Sequence, residues 1–131
     1  MDDAAISNNE ILANFIFDSN KFRTAGVHHR ALMPNPKHGN KSAFRVSGLS
    51  AEEIAELGTQ EVATGHGRPH LGWAQLLAEK VRNAGLHLRV DEPPARHAVI
   101  ENWPVDVAQQ RELALQLAAD AITHRWPAQP E

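Results

Sequence analysis

The stretch from Ala43 to Leu57 reads AFRVSGLSAEEIAEL and contains the clearest signal of local structure in the chain. In its first residues, apolar Phe44 and Val46 are separated by the charged Arg45. This alternation is typical of a strand that is buried on one face only. We therefore expect a short strand over Ala43–Ser47.

The second part of the same stretch predicts the start of a helix. Ser50 is followed three residues later by Glu53, which is the spacing of a capping box. Leu49 and Ile54 occupy the flanking positions at which two apolar side chains pack against each other and fix the helix entry. The helix is expected to end at Gly58 or to continue as far as Ala63.

The same kinds of signal predict further elements on both sides of this stretch. They are a helix over Ile11–Ile16 after the capping box Ser7–Glu10, strands at Val27–Leu32, Leu86–Val90 and His97–Glu101, and helices over Gly72–Ala84 and from Asp106 to about Arg125. The resulting order, α-β-β-α-α-β-β-α, is not a strict β-α-β alternation, so the predicted class is α+β. We expect one domain over residues 1–126, with short antiparallel strands packed against helices, and a loose tail over 127–131.

Charge is distributed unevenly along the chain. The 33 residues between Asp18 and Glu52 contain no acidic side chain and six cationic ones, namely Lys21, Arg23, Arg30, Lys37, Lys41 and Arg45. Because the net charge is −3, the other 98 residues carry −9 (−3 minus +6). An electropositive zone on an acidic body favours anionic partners, either a small molecule or the acidic surface of another protein.

The composition also excludes several classes of function. The chain has no cysteine, which excludes disulfides, zinc–thiolate sites and thiol catalysis. It begins with the acidic Met1-Asp2-Asp3 and has no apolar run long enough for a secretory signal or a membrane span. We expect a cytoplasmic protein with no membrane association and no cofactor.

The candidate ligand-binding residues are cations and histidines in or near the positive zone. They are His29, Arg30, Arg45, His66, Arg68 and His97. The loop Gly65–His70 precedes a predicted helix, and glycines beside free helix N–H groups and an arginine are typical of a phosphate or carboxylate site. The alternative is a plain turn in which the glycines serve only chain geometry.

Two other functions remain open on the sequence. The first is a metal-independent phosphoester hydrolase or ribonuclease, which needs two imidazoles as acid and base and a cation for the charged transition state. The second is a homodimeric interaction module. Simple nucleic-acid binding is disfavoured because the isoelectric point is about 6.2, whereas such domains usually exceed about 9. No histidine spacing matches a metal motif, so we expect no metal site.

Several short strings resemble a family of small uncharacterised bacterial proteins, some of which are carried on mobile elements such as integron gene cassettes. The strings are Phe15–Phe17, Ala31–Pro34, Phe44–Leu49, Arg96–Ile100 and Trp103-Pro104. The resemblance extends over most of the chain and implies a bacterial, single-domain protein. It implies no activity and no catalytic residues.

Overall fold

The fold is built on a six-stranded antiparallel sheet. The computed structural model describes residues 2–23, 26–63, 65 and 67–127. Its strands are β1 (Ile11–Phe15), β2 (Phe22–Arg23), β3 (Gly26–Val27), β4 (Lys41–Arg45), β5 (Gly72–Leu77), β6 (His87–Val90), β7 (His97–Glu101) and β8 (Ile122–Arg125). The sheet order is β6-β7-β4-β1-β5-β8, while β2 and β3 form a separate two-stranded ribbon. β4 and β1 are therefore the two central strands of the sheet.

Helical elements cover both faces of this sheet. They are α1 (Ala51–Gly58) with a π-helical continuation over Thr59–Ala63, α2 (Ala78–Asn83), α3 (Val107–Asp120), and the 3₁₀ turns Ser19–Lys21 and His29–Leu32. Alternate residues of a strand face opposite sides. Accordingly, Leu12 packs with Leu117 of α3 in one core cluster, whereas Ala13 packs with Ile54 of α1 in the other. The structure thus has three layers, with the sheet in the centre.

The α+β class is confirmed, and the predicted order of elements agrees roughly with the structure. The capping box at the start of α1 is present: the Ser50 hydroxyl accepts from the Glu53 N–H at 3.2 Å, and the Glu53 carboxylate accepts from the Ser50 N–H at 3.0 Å. Leu49 and Ile54 belong to the same apolar cluster, as a staple requires. The strands predicted around Ala43–Ser47, Leu86–Val90 and His97–Glu101 are present as β4, β6 and β7.

The helix predicted at the N-terminus is wrong, because Ile11–Phe15 is the central strand β1. Its three middle residues, Leu12, Ala13 and Asn14, are all buried, since both faces of the sheet are covered. A strand buried on both faces has no alternating pattern, and its apolar run resembles a helical stripe. The Glu10 carboxylate, predicted to close a capping box, instead accepts from the Arg45 guanidinium of β4.

Three other predicted elements also differ from the structure in type or in extent. The helix predicted over Gly72–Ala84 is strand β5 followed by the short helix α2, again because the first half is buried on both faces. The strand predicted over Val27–Leu32 ends at Val27 and continues as a 3₁₀ turn. The last helix ends at Asp120, and the residues after it form β8 rather than a helix C-terminus.

The outer edge of β6 is engaged by the residues that precede β1. The Asp3 N–H donates to the Leu88 carbonyl at 2.7 Å, and the Asp2 carboxylate accepts from the Leu88 N–H at 2.9 Å. The Asp3 carboxylate accepts from the Val90 N–H at 3.3 Å, and Asp2 also pairs with Arg82 of α2 at 2.9 Å. The first described residues thus satisfy backbone groups of an edge strand.

Two further predictions concern the C-terminal tail and membrane-spanning helices. Of the tail predicted over 127–131, only Pro127 belongs to the described residues. Among the helices within the described ranges, none combines the length and the apolar character that crossing a bilayer requires.

Candidate functional site

The sheet splits between its two central strands. β1 pairs with β4 at Leu12–Arg45 and Ala13–Phe44, whereas β4 remains paired with β7 as far as Lys41. β1 likewise remains paired with β5 to its last residue. The two central strands therefore separate beyond Ala13 and Phe44 while each stays attached to its outer neighbour. A cavity of about 220 Å³ lies at this split.

Residues from several parts of the fold line the cavity. They come from β1 and the segment after it, from β4, from the two 3₁₀ turns, from the π-helical turn and from the loop before β5. The polar and charged members of the lining are Asn14, Asp18, Lys21, Arg30, Lys41, Ser42 and Arg68. The side chains of Arg30 and Arg68 are exposed and Asn14 is buried, so the cavity runs from solvent to the middle of the sheet.

The charge of the lining is strongly positive. Four cationic side chains face one carboxylate, which gives a formal charge of +3 (+4 minus 1). That carboxylate, Asp18, is shared between Arg68 at 3.1 Å and Lys21 at 3.4 Å. Hydrogen bonds from Arg68 and then from Lys21 lower the pKa of Asp18, so it is ionised at neutral pH. Arg30 and Lys41 have no carboxylate within ion-pair distance among the described residues.

One cation of the cavity, Lys41, has a strongly lowered pKa. It lies at the first position of β4 and its side chain is half-buried. Burial is the main cause that lowers the pKa of its ammonium group to about 8, and the positive charge of Lys21 adds to the effect. An ammonium group held away from water without a counter-ion favours its neutral form.

Asn14 bridges the split in the sheet. Its side-chain Nδ2 donates to the Ser42 carbonyl at 2.6 Å, across the gap where the backbone pairing of β1 and β4 has stopped. Only 3% of the residue is exposed, and its Oδ1 has no hydrogen-bond partner among the described residues. A buried acceptor without a partner is costly, so such an atom in a cavity wall indicates a position where a ligand or a water donates.

The structure brings two of the six predicted site residues, Arg30 and Arg68, to this cavity. Arg68 precedes strand β5 rather than a helix. The expected contribution of helix N–H groups to an anion site is therefore wrong, and the positive charge near Arg68 comes from the other cations of the cavity. His66, a predicted site residue in the same loop, lies outside the described residues. His29 is on the second 3₁₀ turn, where its ring stacks on His28 at 4.4 Å. Burial and the charge of Arg111 lower the pKa of His29.

The other two predicted residues lie elsewhere. Arg45 is paired with Glu10 at 3.0 Å and lines a separate depression that also contains Arg96. Burial alone would raise the pKa of Glu10, but hydrogen bonds from Ser47 and Arg45 outweigh it and the pKa is lowered. His97 is held by the Asp91 carbonyl, 2.9 Å from its Nδ1. These contacts account for both side chains without a ligand.

Paired imidazoles, which the hydrolase hypothesis requires, are not found in the lining contributed by the described residues. His70 is buried beside α1, with Nε2 2.9 Å from the Ala55 carbonyl and Nδ1 accepting from the Gly72 N–H at 3.1 Å. Both of its ring nitrogens are therefore used by the backbone. Within the described part of the chain, no three histidine or acidic side chains are grouped closely enough to share a metal ion.

Comparison of the chain with protein-family models, with curated proteins and with solved structures found no match. The resemblance to small bacterial proteins, together with the mobile-element origin that it suggests, therefore stays a prediction. Any function has to be argued from the cavity itself.

Lys41, Lys21 and Asn14 line the cavity but are not among the six site residues predicted from the sequence. Both lysines belong to the acid-free window, so their charge was noted, but their positions around one cavity depend on the sheet order. Asn14 was assigned to a helix. In the sequence, Asn14 is recognisable only as a polar residue inside an otherwise apolar run. In a strand buried on both faces, such a side chain is buried and needs a hydrogen-bond partner.

Proposed function

We propose that the protein binds a small anionic ligand in the cavity between β1 and β4. The observation that supports this most directly is the charge of the lining, in which four cationic side chains face the single carboxylate of Asp18. Charged groups taken out of water are normally paired. Lys41 is half-buried and has no acidic partner among the described residues, and the exposed Arg30 on the lining of the same cavity has none either, so an anion bound there would be paired with both cations.

The size of the cavity limits the ligand. Its volume of about 220 Å³ is below the roughly 300–1,000 Å³ of pockets that enclose drug-sized molecules. A phosphate, a sulfate or a short carboxylic acid fits this volume better than a nucleotide. An acidic protein surface would contact only the exposed cations at the mouth, so we favour the small molecule among the anionic partners. Binding requires no reaction and no cofactor, and we expect it to take place in the cytoplasm.

The test is a calorimetric titration of the protein with inorganic phosphate, sulfate, lactate and a short poly-glutamate peptide at two salt concentrations. The variants are Arg30→Gln and Lys41→Met, with Lys37→Gln as the matched control because Lys37 is exposed in the same basic window and does not line the cavity. We expect Arg30→Gln to weaken phosphate binding about tenfold, which corresponds to about 1.4 kcal/mol. The control should bind as the wild type does.

The outcomes separate three cases. An equal loss in Arg30→Gln and Lys37→Gln would show diffuse attraction without a site, which falls steeply with added salt. Tight binding of the peptide with no binding of phosphate, sulfate or lactate would transfer the function to an acidic protein partner. No binding of any member of the panel would refute the proposal.

A further inference from the structure

We infer that Lys41 is a nucleophilic amine that forms a reversible imine with a small carbonyl compound carrying an anionic group. This inference rests on the proposed function, because the cations of the cavity would hold the anionic group while Lys41 reacts with the carbonyl carbon. The ligand class is an aldehyde or ketone with a carboxylate or a phosphate, of a size that fits about 220 Å³.

The placement of Lys41 supports this role. It opens strand β4 and lines the cavity at the split in the sheet, together with Lys21 and Arg30 and without an acidic partner among the described residues. An amine surrounded by cations and partly removed from water loses its proton more easily than an exposed one, and desolvation next to a second cation is a known way of activating a lysine.

The amount of reactive amine follows from the pKa of about 8 that burial and the charge of Lys21 give to Lys41. At pH 7.5 about a quarter of such a group is uncharged, whereas about one in a thousand lysines with the ordinary value of 10.5 is uncharged. Only the uncharged amine has the electron pair that attacks a carbonyl. The cavity therefore holds a far larger supply of nucleophile than an exposed lysine offers.

Asn14 gives a second, independent reason. Its side chain is buried and lines the same cavity, and its Nδ2 is anchored to the carbonyl of Ser42, the residue next to Lys41. Its Oδ1 has no partner among the described residues and can accept a hydrogen bond but cannot donate one. The hydroxyl of a carbinolamine and the N–H of an iminium are both donors, so either one would satisfy this oxygen.

The reaction balances without an oxidant or a reductant. The electron pair of the Lys41 Nζ forms a bond to the carbonyl carbon, and the C=O π electrons move to oxygen. One proton passes from nitrogen to that oxygen to give the carbinolamine. The hydroxyl then takes a proton from solvent and leaves as water while the C=N bond forms. The product is an iminium whose positive charge remains at the position of the former ammonium group.

The test is reductive trapping of the 131-residue chain with pyruvate and borohydride, followed by intact mass measurement and peptide mapping. We expect one carboxyethyl group per chain, with Lys41 labelled at least tenfold more than Lys37 at pH 7.5. Glycolaldehyde phosphate tests the phosphate-bearing members of the class in a parallel arm. Acetone, which has a carbonyl and no charge, should label Lys41 less than pyruvate does.

Three variants and one competitor complete the design. Lys41→Met should lose the main label, Arg30→Gln should reduce it, and Lys37→Met should leave it unchanged. Excess inorganic phosphate should compete with pyruvate for the cations. Equal labelling of Lys41 and Lys37 would overturn the inference. Phosphate binding without trapping at Lys41 would refute the imine and leave the anion site intact, whereas the absence of both would refute this inference and the proposed function together.

Discussion

Replacing Lys41 by methionine should make the protein more stable at neutral pH, although the change removes a charged residue. In the folded protein burial lowers the pKa of Lys41 to about 8 from the ordinary value of 10.5 that the unfolded chain retains. Below pH 8 the lysine is protonated in both states, and the folded state carries the whole cost of a buried ammonium. As the pH rises from 8 to 10.5 the folded state loses this proton first and the cost disappears.

The size of the effect follows from the pKa difference. A shift from 10.5 to about 8 corresponds to about 3.5 kcal/mol at about 1.4 kcal/mol per pKa unit. Because the side chain is half-buried and keeps some access to water, we expect about 1.5–3 kcal/mol of stabilisation in Lys41→Met at pH 7. Methionine retains most of the unbranched chain, so little packing is lost.

The assay is urea unfolding of the wild type, Lys41→Met and the exposed control Lys37→Met at several pH values from 7 to 9.5. The gain in Lys41→Met should fall to less than half of its pH 7 value by pH 9.5. Lys37→Met should stay within about 0.5 kcal/mol of the wild type throughout. A Lys41→Met protein less stable than the wild type at pH 7, or a gain that does not change with pH, would refute the reasoning.

The remaining predictions concern packing, capping and metal content. Ser50→Ala should lower the free energy of unfolding by about 1 kcal/mol through loss of the cap, and an unchanged urea midpoint would contradict this. Gly58→Ala should destabilise by about 1–3 kcal/mol, because its new methyl group would clash with the Phe15 ring, whereas a methyl group at Gly26 meets no described atom within 4 Å and Gly26→Ala should be neutral or slightly stabilising. A gain in the thermal midpoint of Gly58→Ala would show that the ring moves aside easily. Elemental analysis of dialysed protein should find no stoichiometric zinc, and about one zinc per chain would overturn that expectation.

The parts of the fold that could be predicted from sequence are those decided by neighbouring residues. Helix α1 begins at Ser50 because the serine and Glu53 bond each other's backbone three residues apart, and that pattern is visible in the sequence. Strand β4 is indicated by the alternation of Phe44 and Val46 with Arg45, although in the structure the adjacent Ala43 and Phe44 are both buried, in the two different core clusters. The α+β class follows from such local signals taken together.

The elements that were wrongly predicted from the sequence are those whose structure is decided by residues far away in the chain. β1 and β5 form strands because helices from distant segments cover both faces of the sheet, and burial on both faces removes the alternation that identifies a strand. The cavity likewise depends on contacts between segments that are far apart in the chain. The excess of cations around Lys41 is visible in the sequence as a stretch without acidic residues. The burial of Lys41, however, depends on where β1 and β4 separate. The role of Asn14 depends on its side chain reaching Ser42 across that gap.

The engagement of β6 by Asp2 and Asp3 has a consequence for self-association. Two copies of a sheet protein can join by strand addition only at an edge whose backbone groups are available. On the β6 side, Leu88 and Val90 already bond to the preceding segment, so a copy arriving there would first have to peel that segment away. The opposite outer strand, β8, presents Ile122 with 62% of its surface exposed. Sheet extension at β6 is therefore obstructed by the chain's own first residues, and at β8 it would have to accommodate the neighbouring β2–β3 ribbon, whose Phe22 ring lies 4.3 Å from the Arg125 guanidinium. A bulky tag attached ahead of Asp2 would lie at the β6 edge of the sheet, away from β8.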